Sequence, residues 1–232
     1  MDVAKCEAKI GVPFKDKTLL VRAFVHRSYL NENPGGVEGV MGHNERLEFL
    51  GDAVLELSVT DYLYKQFPEK SEGELTSFRA ALVNATTVGE VGASLGMNEF
   101  MLLSKGESRD TGRARQIILA NAYEALLGAL YLDQGYEAAD AFITRTLLPR
   151  LSEIVEKSLW LDAKSYFQEK AQDVYGTTPN YKVLSETGPD HDKTFTVGVF
   201  IGRDLIAQGS GHSKQEGEQS AARMGLQLKG WR

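Results

Sequence analysis

A single cysteine stands in 232 residues, so no intrachain disulfide is available and a small disulfide-built scaffold is excluded. Proline is sparse at 6, no apolar run is long enough to span a bilayer, and the leading MDVAKCEAKIGVPFKDKTLL has no continuous hydrophobic stretch. No membrane association and no export signal are therefore expected, and the expected address is cytoplasmic. The four histidines, His26, His43, His191 and His212, have no ligand spacing with one another or with Cys6, which argues against zinc. A basic excess is missing too. The formal charge is −6 with a pI near 5.4, which at first sight speaks against a polyanionic partner. Residues 160–232, however, carry nine Lys+Arg and nine Asp+Glu, so the whole acidic excess lies upstream. What remains is the composition of a globular protein, 42% apolar and 25% charged, long enough for two cores.

The hydrophobic pattern divides the chain. Residues 1–158 read as an all-helical domain: Leu47, Leu50, Val54 and Leu57, and again Leu119, Ala122, Tyr123, Leu126 and Leu130, recur at three and four. Breaks are expected at Asn33-Pro34-Gly35-Gly36, Phe67-Pro68 and Asp133-Gln134-Gly135. Residues 159–232 read as a small α+β domain of α-β-β-β-α order, with the boundary inside residues 152–161. Its elements are a helix from Asp162 to Val174, strands at 181–184, 193–201 and about 204–209, and a last helix to about Leu228. Ser213 and Glu216 fit a capping box at the start of that helix.

On a helix beginning near Asn44, Glu45, Glu48 and Asp52 share one face and Leu47, Leu50 and Val54 the other. Three bare carboxylates so close raise one another's pKa unless water or a cation relieves them. A solvated outer face explains the stripe, but the large ring of Phe49 on that side has no use there. A second helix places Asn121 and Glu124 at i, i+3 opposite its leucines, with Gly128 on the same polar side, where a missing side chain admits a close neighbour. A hydrated edge explains this layout as well. Converging oxygen donors from two helices would suit a hard cation, Mg²⁺ or Mn²⁺.

The segment 43–55, HNERLEFLGDAVL, closely resembles the signature of bacterial ribonuclease III. Residues 26–29 (HRSY), 72–76 (EGELT) running on to 82–84 (LVN), and 118–126 (ILANAYEAL) echo the same family in the same order, and the tail resembles a double-stranded-RNA-binding domain through 188–191 (GPDH) and 209–214 (GSGHSK). The resemblance implies a homodimeric endonuclease that cuts both strands of duplex RNA with Mg²⁺, leaving 5′-phosphate and 3′-hydroxyl ends with short 3′ overhangs, in RNA processing and maturation. It implies Glu48, Asp52, Asn121 and Glu124 as the metal set, with Asp52 and Glu124 catalytic, Glu45 and Glu72 as supporting acids, and Phe49 at the dimer interface. Glu48 and Glu124 are the expected direct ligands, with Asp52 and Asn121 acting through water.

Position 121 departs from the family, which usually has Asp there. An amide keeps a carbonyl oxygen but loses the charge and one acceptor. Three readings stay open: a working variant with weaker metal affinity, a catalytically impaired double-stranded-RNA binder, or a substitution that traps a complex. For RNA, Gln168 and Gln172 stand one turn apart on the first helix of the tail, His191 lies in the turn after Pro189, and Lys214 begins the last helix. Where many relatives have a second Lys, this chain has Gln215, and the lost base predicts a weaker phosphate grip; Gly217 stands in place of a usual Ala.

Overall fold

The computed structural model describes all residues except 38, 157–159, 161, 190–192 and 232. The chain forms two compact units, Met1–Trp160 and Leu161–Arg232.

In the first unit the described residues form nine α-helices: α1 (Val3–Ile10), α2 (Lys17–Ala23), α3 (Arg27–Glu32), α4 (Glu45–Gln66), α5 (Glu72–Val83), α6 (Ala85–Ser94), α7 (Arg113–Gln134), α8 (Tyr136–Thr146) and α9 (Arg150–Glu156). The expected breaks fall between them. Pro68 follows α4, which ends at Gln66, and Gly135, at φ 89, turns the chain from α7 into α8. The axis of the unit is α7. It is buried almost all round from Ile118 to Leu130 and packs against α2, α4, α6 and α8. Leu119, Ala122, Tyr123, Leu126 and Leu130 all lie in the core beside Leu55, Leu63, Phe78 and Leu82.

Two glycines bring α4 and α7 into backbone contact. A Cβ added to Gly51 would overlap the carbonyl oxygen of Glu124, and one added to Gly128 would overlap the carbonyl oxygen of Leu47. Each glycine costs about 1 kcal/mol of helix propensity relative to alanine, a penalty the closer packing must offset. The polar side of α7 that the sequence offered as a hydrated edge is thus a helix crossing at Gly128. The apolar stripe on α4 also needs correcting. Leu47 and Val54 are buried, but Leu50 is only partly so and Leu57 is 58% exposed. The buried positions instead run Leu47, Gly51, Val54, Leu55, Ser58, Val59 and Leu63. They wind round the helix because α4 is covered by α5 and α8 as well as by α7, and no single stripe can serve three neighbours. Ser58, buried on that surface, donates to Asp140 Oδ1 of α8 at 2.6 Å.

The second unit runs α10 (Ala163–Tyr175), β1 (Asn180–Thr187), β2 (Thr194–Ile201), β3 (Asp204–Gly211) and α11 (Lys214–Lys229). The three strands make an antiparallel sheet in the order β1-β2-β3, with Val183 opposite Val197 and Val199 opposite Ala207. Phe167 and Ala171 of α10 and Ala221, Ala222 and Leu226 of α11 pack with Val199 and Ala207 into one core. Asp162 caps α10 by accepting from Ser165 N, and Gly176 ends it at φ 66. At the other helix the expected capping box is half formed. Ser213 accepts from Glu216 N at 3.1 Å, but the Glu216 carboxylate takes the N–H of His212, one residue earlier, at 2.9 Å. A complete capping box stands instead at Ser71 and Glu74 of α5, where the sequence reading did not place one. The glycine at 217 is a packing residue: a Cβ there would lie 2.7 Å from Val197 Cγ2.

Candidate active site and duplex-binding face

The contact at Gly51 and Gly128 sets the acids of the two long helices beside each other. Asn44 is the N-cap of α4; it is buried and its side chain donates to Ala23 O at 3.2 Å, which ties the start of α4 to α2. Glu48 lies one turn in and is half-buried, and Asp52, next to Gly51, is exposed. Glu124 and, one turn before it, Asn121 are half-buried on α7. Burial, with Asp52, Glu48 and Glu56 nearby, pushes the Glu124 carboxyl up to about 7. Burial, with Glu45 and Asp52 beside it, raises Glu48 as well, while His43 works in the opposite direction. No hydrogen bond or ion pair compensates the side chains of Glu48, Asp52 or Glu124 among the described residues. Nor do three Asp, Glu, His or Cys side chains converge as a ready-made metal cage among those residues. Glu48, Asp52 and Glu124 are thus close enough to act on one another's charge, but they do not form a closed donor set.

The supporting acids are placed differently. Glu45, exposed, sits 3.7 Å from Arg27 Nη1, so its charge is partly matched, and its backbone N–H donates to His43 Nδ1 at 3.4 Å. Glu72 opens α5 and accepts from Thr76 Oγ1 at 3.0 Å; it is not among the principal charges acting on Glu48 or Glu124. The ring of Phe49 is 82% exposed, and Leu57 and Tyr64 follow on the same side of α4, also exposed. The sequence reading missed Gly51 and Glu56. A glycine inside a long helix was the available signal for the first; for the second only the four-residue spacing from Asp52 pointed to it.

In the second unit Gln168 and Gln172 are exposed one turn apart on α10, where they line a shallow groove with Ser165, Glu169 and Asp173. Lys214, the first residue of α11, is exposed, but its ammonium lies 3.9 Å from Glu186 Oε1 and 5.8 Å from the centre of the Phe195 ring. Glu186 and Phe195, on β1 and β2, thus lie beside that cation. The expectation for His191 lies outside the described residues.

The family pattern described as Ribonuclease-III-like matches residues 16–151, and the double-stranded RNA binding motif matches residues 163–229. Ribonuclease 3 of Desulforamulus reducens is 44% identical over 223 residues, covering 96% of this chain and 89% of its own. Ribonuclease 3 of Carboxydothermus hydrogenoformans is 46% identical over 222 residues, covering 96% and 93%. Among solved structures, the nuclease domain of ribonuclease III from Campylobacter jejuni, described for structural flexibility in a region involved in dimer formation, aligns with a TM-score of 0.56 at 38% identity; the match covers 64% of this chain and 97% of that one. A helical domain with acids facing across two long helices, followed by an α-β-β-β-α domain, defines an endoribonuclease with an attached double-stranded-RNA-binding module. The chain belongs to the ribonuclease III family. Among the described residues no helix is long and apolar enough to cross a membrane.

Proposed function

We propose that the protein is a Mg²⁺-dependent, homodimeric endoribonuclease that cuts both strands of duplex RNA, leaving 5′-phosphate and 3′-hydroxyl ends with short 3′ overhangs, in the maturation of cellular RNA. The observation that carries this reading is the backbone contact of α4 and α7 at Gly51 and Gly128, which sets Glu124 beside the α4 acids so that burial and the charges of Asp52, Glu48 and Glu56 push its carboxyl up to about 7. Such a group gains from a cation. The donors are hard oxygens with no competing protein partner, which fits Mg²⁺, with Mn²⁺ as a substitute. Glu48 and Glu124 would hold the ion directly, and Asp52 and Asn121 would orient its water. When bound, the ion supplies charge neutralisation at the phosphate and acidification of water. Glu45, beside Arg27, would stand at the rim of the site as a supporting acid.

Duplex RNA is recognised through its shape, by 2′-hydroxyls and phosphates across a shallow minor groove. The amides of Gln168 and Gln172 suit ribose hydroxyls and base edges, and the acids Glu169 and Asp173 beside them disfavour phosphate there. Lys214 is the phosphate contact, strengthened by the unpaired N–H groups at the start of α11. Phe49, with Leu57 and Tyr64, supplies the face on which a second copy seats; in sedimentation, Phe49→Asp is expected to convert a dimer to monomer, and an unaltered mass would remove that role.

One observation favours a second reading, a duplex-RNA binder impaired in cleavage: the amide at Asn121. A labelled duplex incubated with and without Mg²⁺ separates the two. Shortening with Mg²⁺ is expected, and Glu124→Gln should lower the rate by about 10³ or more while leaving gel retardation intact. Retardation with no shortening by the unaltered protein would select the binder.

A further inference from the structure

Glu56 continues the α4 acids at four-residue spacing after Glu48 and Asp52, and it is one of the charges felt by Glu124. Unlike those three, it has a fixed partner. Arg79 of α5 places Nε 2.9 Å from Glu56 Oε2 and donates from Nη1 to Thr60 Oγ1 at 2.9 Å. The guanidinium therefore bridges two side chains of α4 one turn apart. Both partners are more than a third exposed, at 35% and 39%, so the pair contributes little to folding on its own.

We propose that Arg79 is a positioning residue for the metal site: by holding Glu56 on the α5 side of α4 and matching its charge, it keeps a fourth carboxylate out of the donor set of Glu48, Asp52 and Glu124. The physical need is definite. Mg²⁺ demands near-octahedral geometry and keeps several waters, so a further free carboxylate one turn away would attract the ion and take a coordination position that water or substrate requires. Arg79 thus trades raw metal affinity for an open coordination sphere. This inference rests on the metal reading of the site given above.

The test is Mn²⁺ binding by the full-length protein at low ionic strength, read from the electron paramagnetic resonance signal of the free ion. Removing the cation with Arg79→Met should tighten binding, and removing the acid with Glu56→Gln should loosen it. Each shift should be several-fold, as one unit charge near a divalent ion in a water-like dielectric predicts. The double variant Arg79→Met/Glu56→Gln should return to the wild-type value, and Arg79→Lys should stay close to it. A purely structural role for Arg79 does not predict opposite shifts that cancel. Failure of the wild-type protein to bind Mn²⁺, or binding unaffected by Glu124→Gln, overturns the metal reading and this inference with it. Wild-type binding at Glu124 that neither variant shifts, or a double variant that does not return, overturns this inference alone. Should Arg79→Met fail to fold, Glu56→Gln decides: weaker binding supports the proposal and unchanged binding refutes it.

Discussion

At the scale of single residues the candidate site is a problem in unrelieved charge. Glu124 reaches about 7 because burial and three nearby acids all disfavour its ionised form, and of those acids only Glu56 has a cation beside it, Arg79. Asn121, one turn away, spares the cluster a further negative charge at the expense of attraction for a cation. Restoring the acid should strengthen that attraction. Asn121→Asp is expected to lower the Mg²⁺ concentration for half-maximal cleavage by roughly three- to tenfold, as one added unit charge near a divalent ion predicts. A titration of cleavage rate against Mg²⁺ checks this, and an unchanged requirement would show that position 121 does not face the ion.

At the scale of elements, the close crossing of α4 and α7 and the caps of the shorter helices carry the architecture. Only glycine at 51 and 128 lets two backbones meet, and that meeting is what brings Glu48 and Asp52 alongside Glu124. The start of α5 is held electrostatically. Lys70 at 2.8 Å, then the N–H and hydroxyl of Ser71, both at 3.0 Å, draw the Glu74 carboxyl down to about 2 from its ordinary 4.5. Because the folded value is depressed, the contribution of this cap is fully present above about 4.5 and is lost as the pH falls through about 2. Glu74→Gln should therefore lower the urea midpoint at pH 7, and the gap to wild type should close as the pH is taken from 6 towards 3. A gap of constant size across that range would mean the carboxylate charge plays no part in the cap.

For the whole molecule, the distribution of charge matters more than its sum. The −6 excess lies in the nuclease unit, and the RNA-binding unit is balanced. Its one cation at the start of α11 is shared with Glu186, so little counterion release is expected from that corner. Adding a neighbour by Gln215→Lys should steepen the dependence of log affinity on log salt by about one unit. Filter binding of a non-cleaved duplex across a salt series measures the slope, and an identical slope would place position 215 away from phosphate.

Much of this was legible in the order of residues. Apolar spacing located the long helices and the three strands, because periods of 3.6 and 2 follow directly from local backbone geometry. Residues 43–55 carried the family resemblance. The reading went astray where several neighbours act on one element: the buried surface of α4 winds instead of forming a stripe, and Glu216 serves His212 and not Ser213. Sequence alone determined the helical and mixed units, the acidic excess and which acids the two long helices carry, since these are properties of composition and local period. Only the tertiary structure decided that Gly51 meets Glu124, that Glu56 is held by Arg79 and that Lys214 leans on Glu186. Those contacts join residues far apart in the chain, and their electrostatic consequences exist only once folding has brought the groups together.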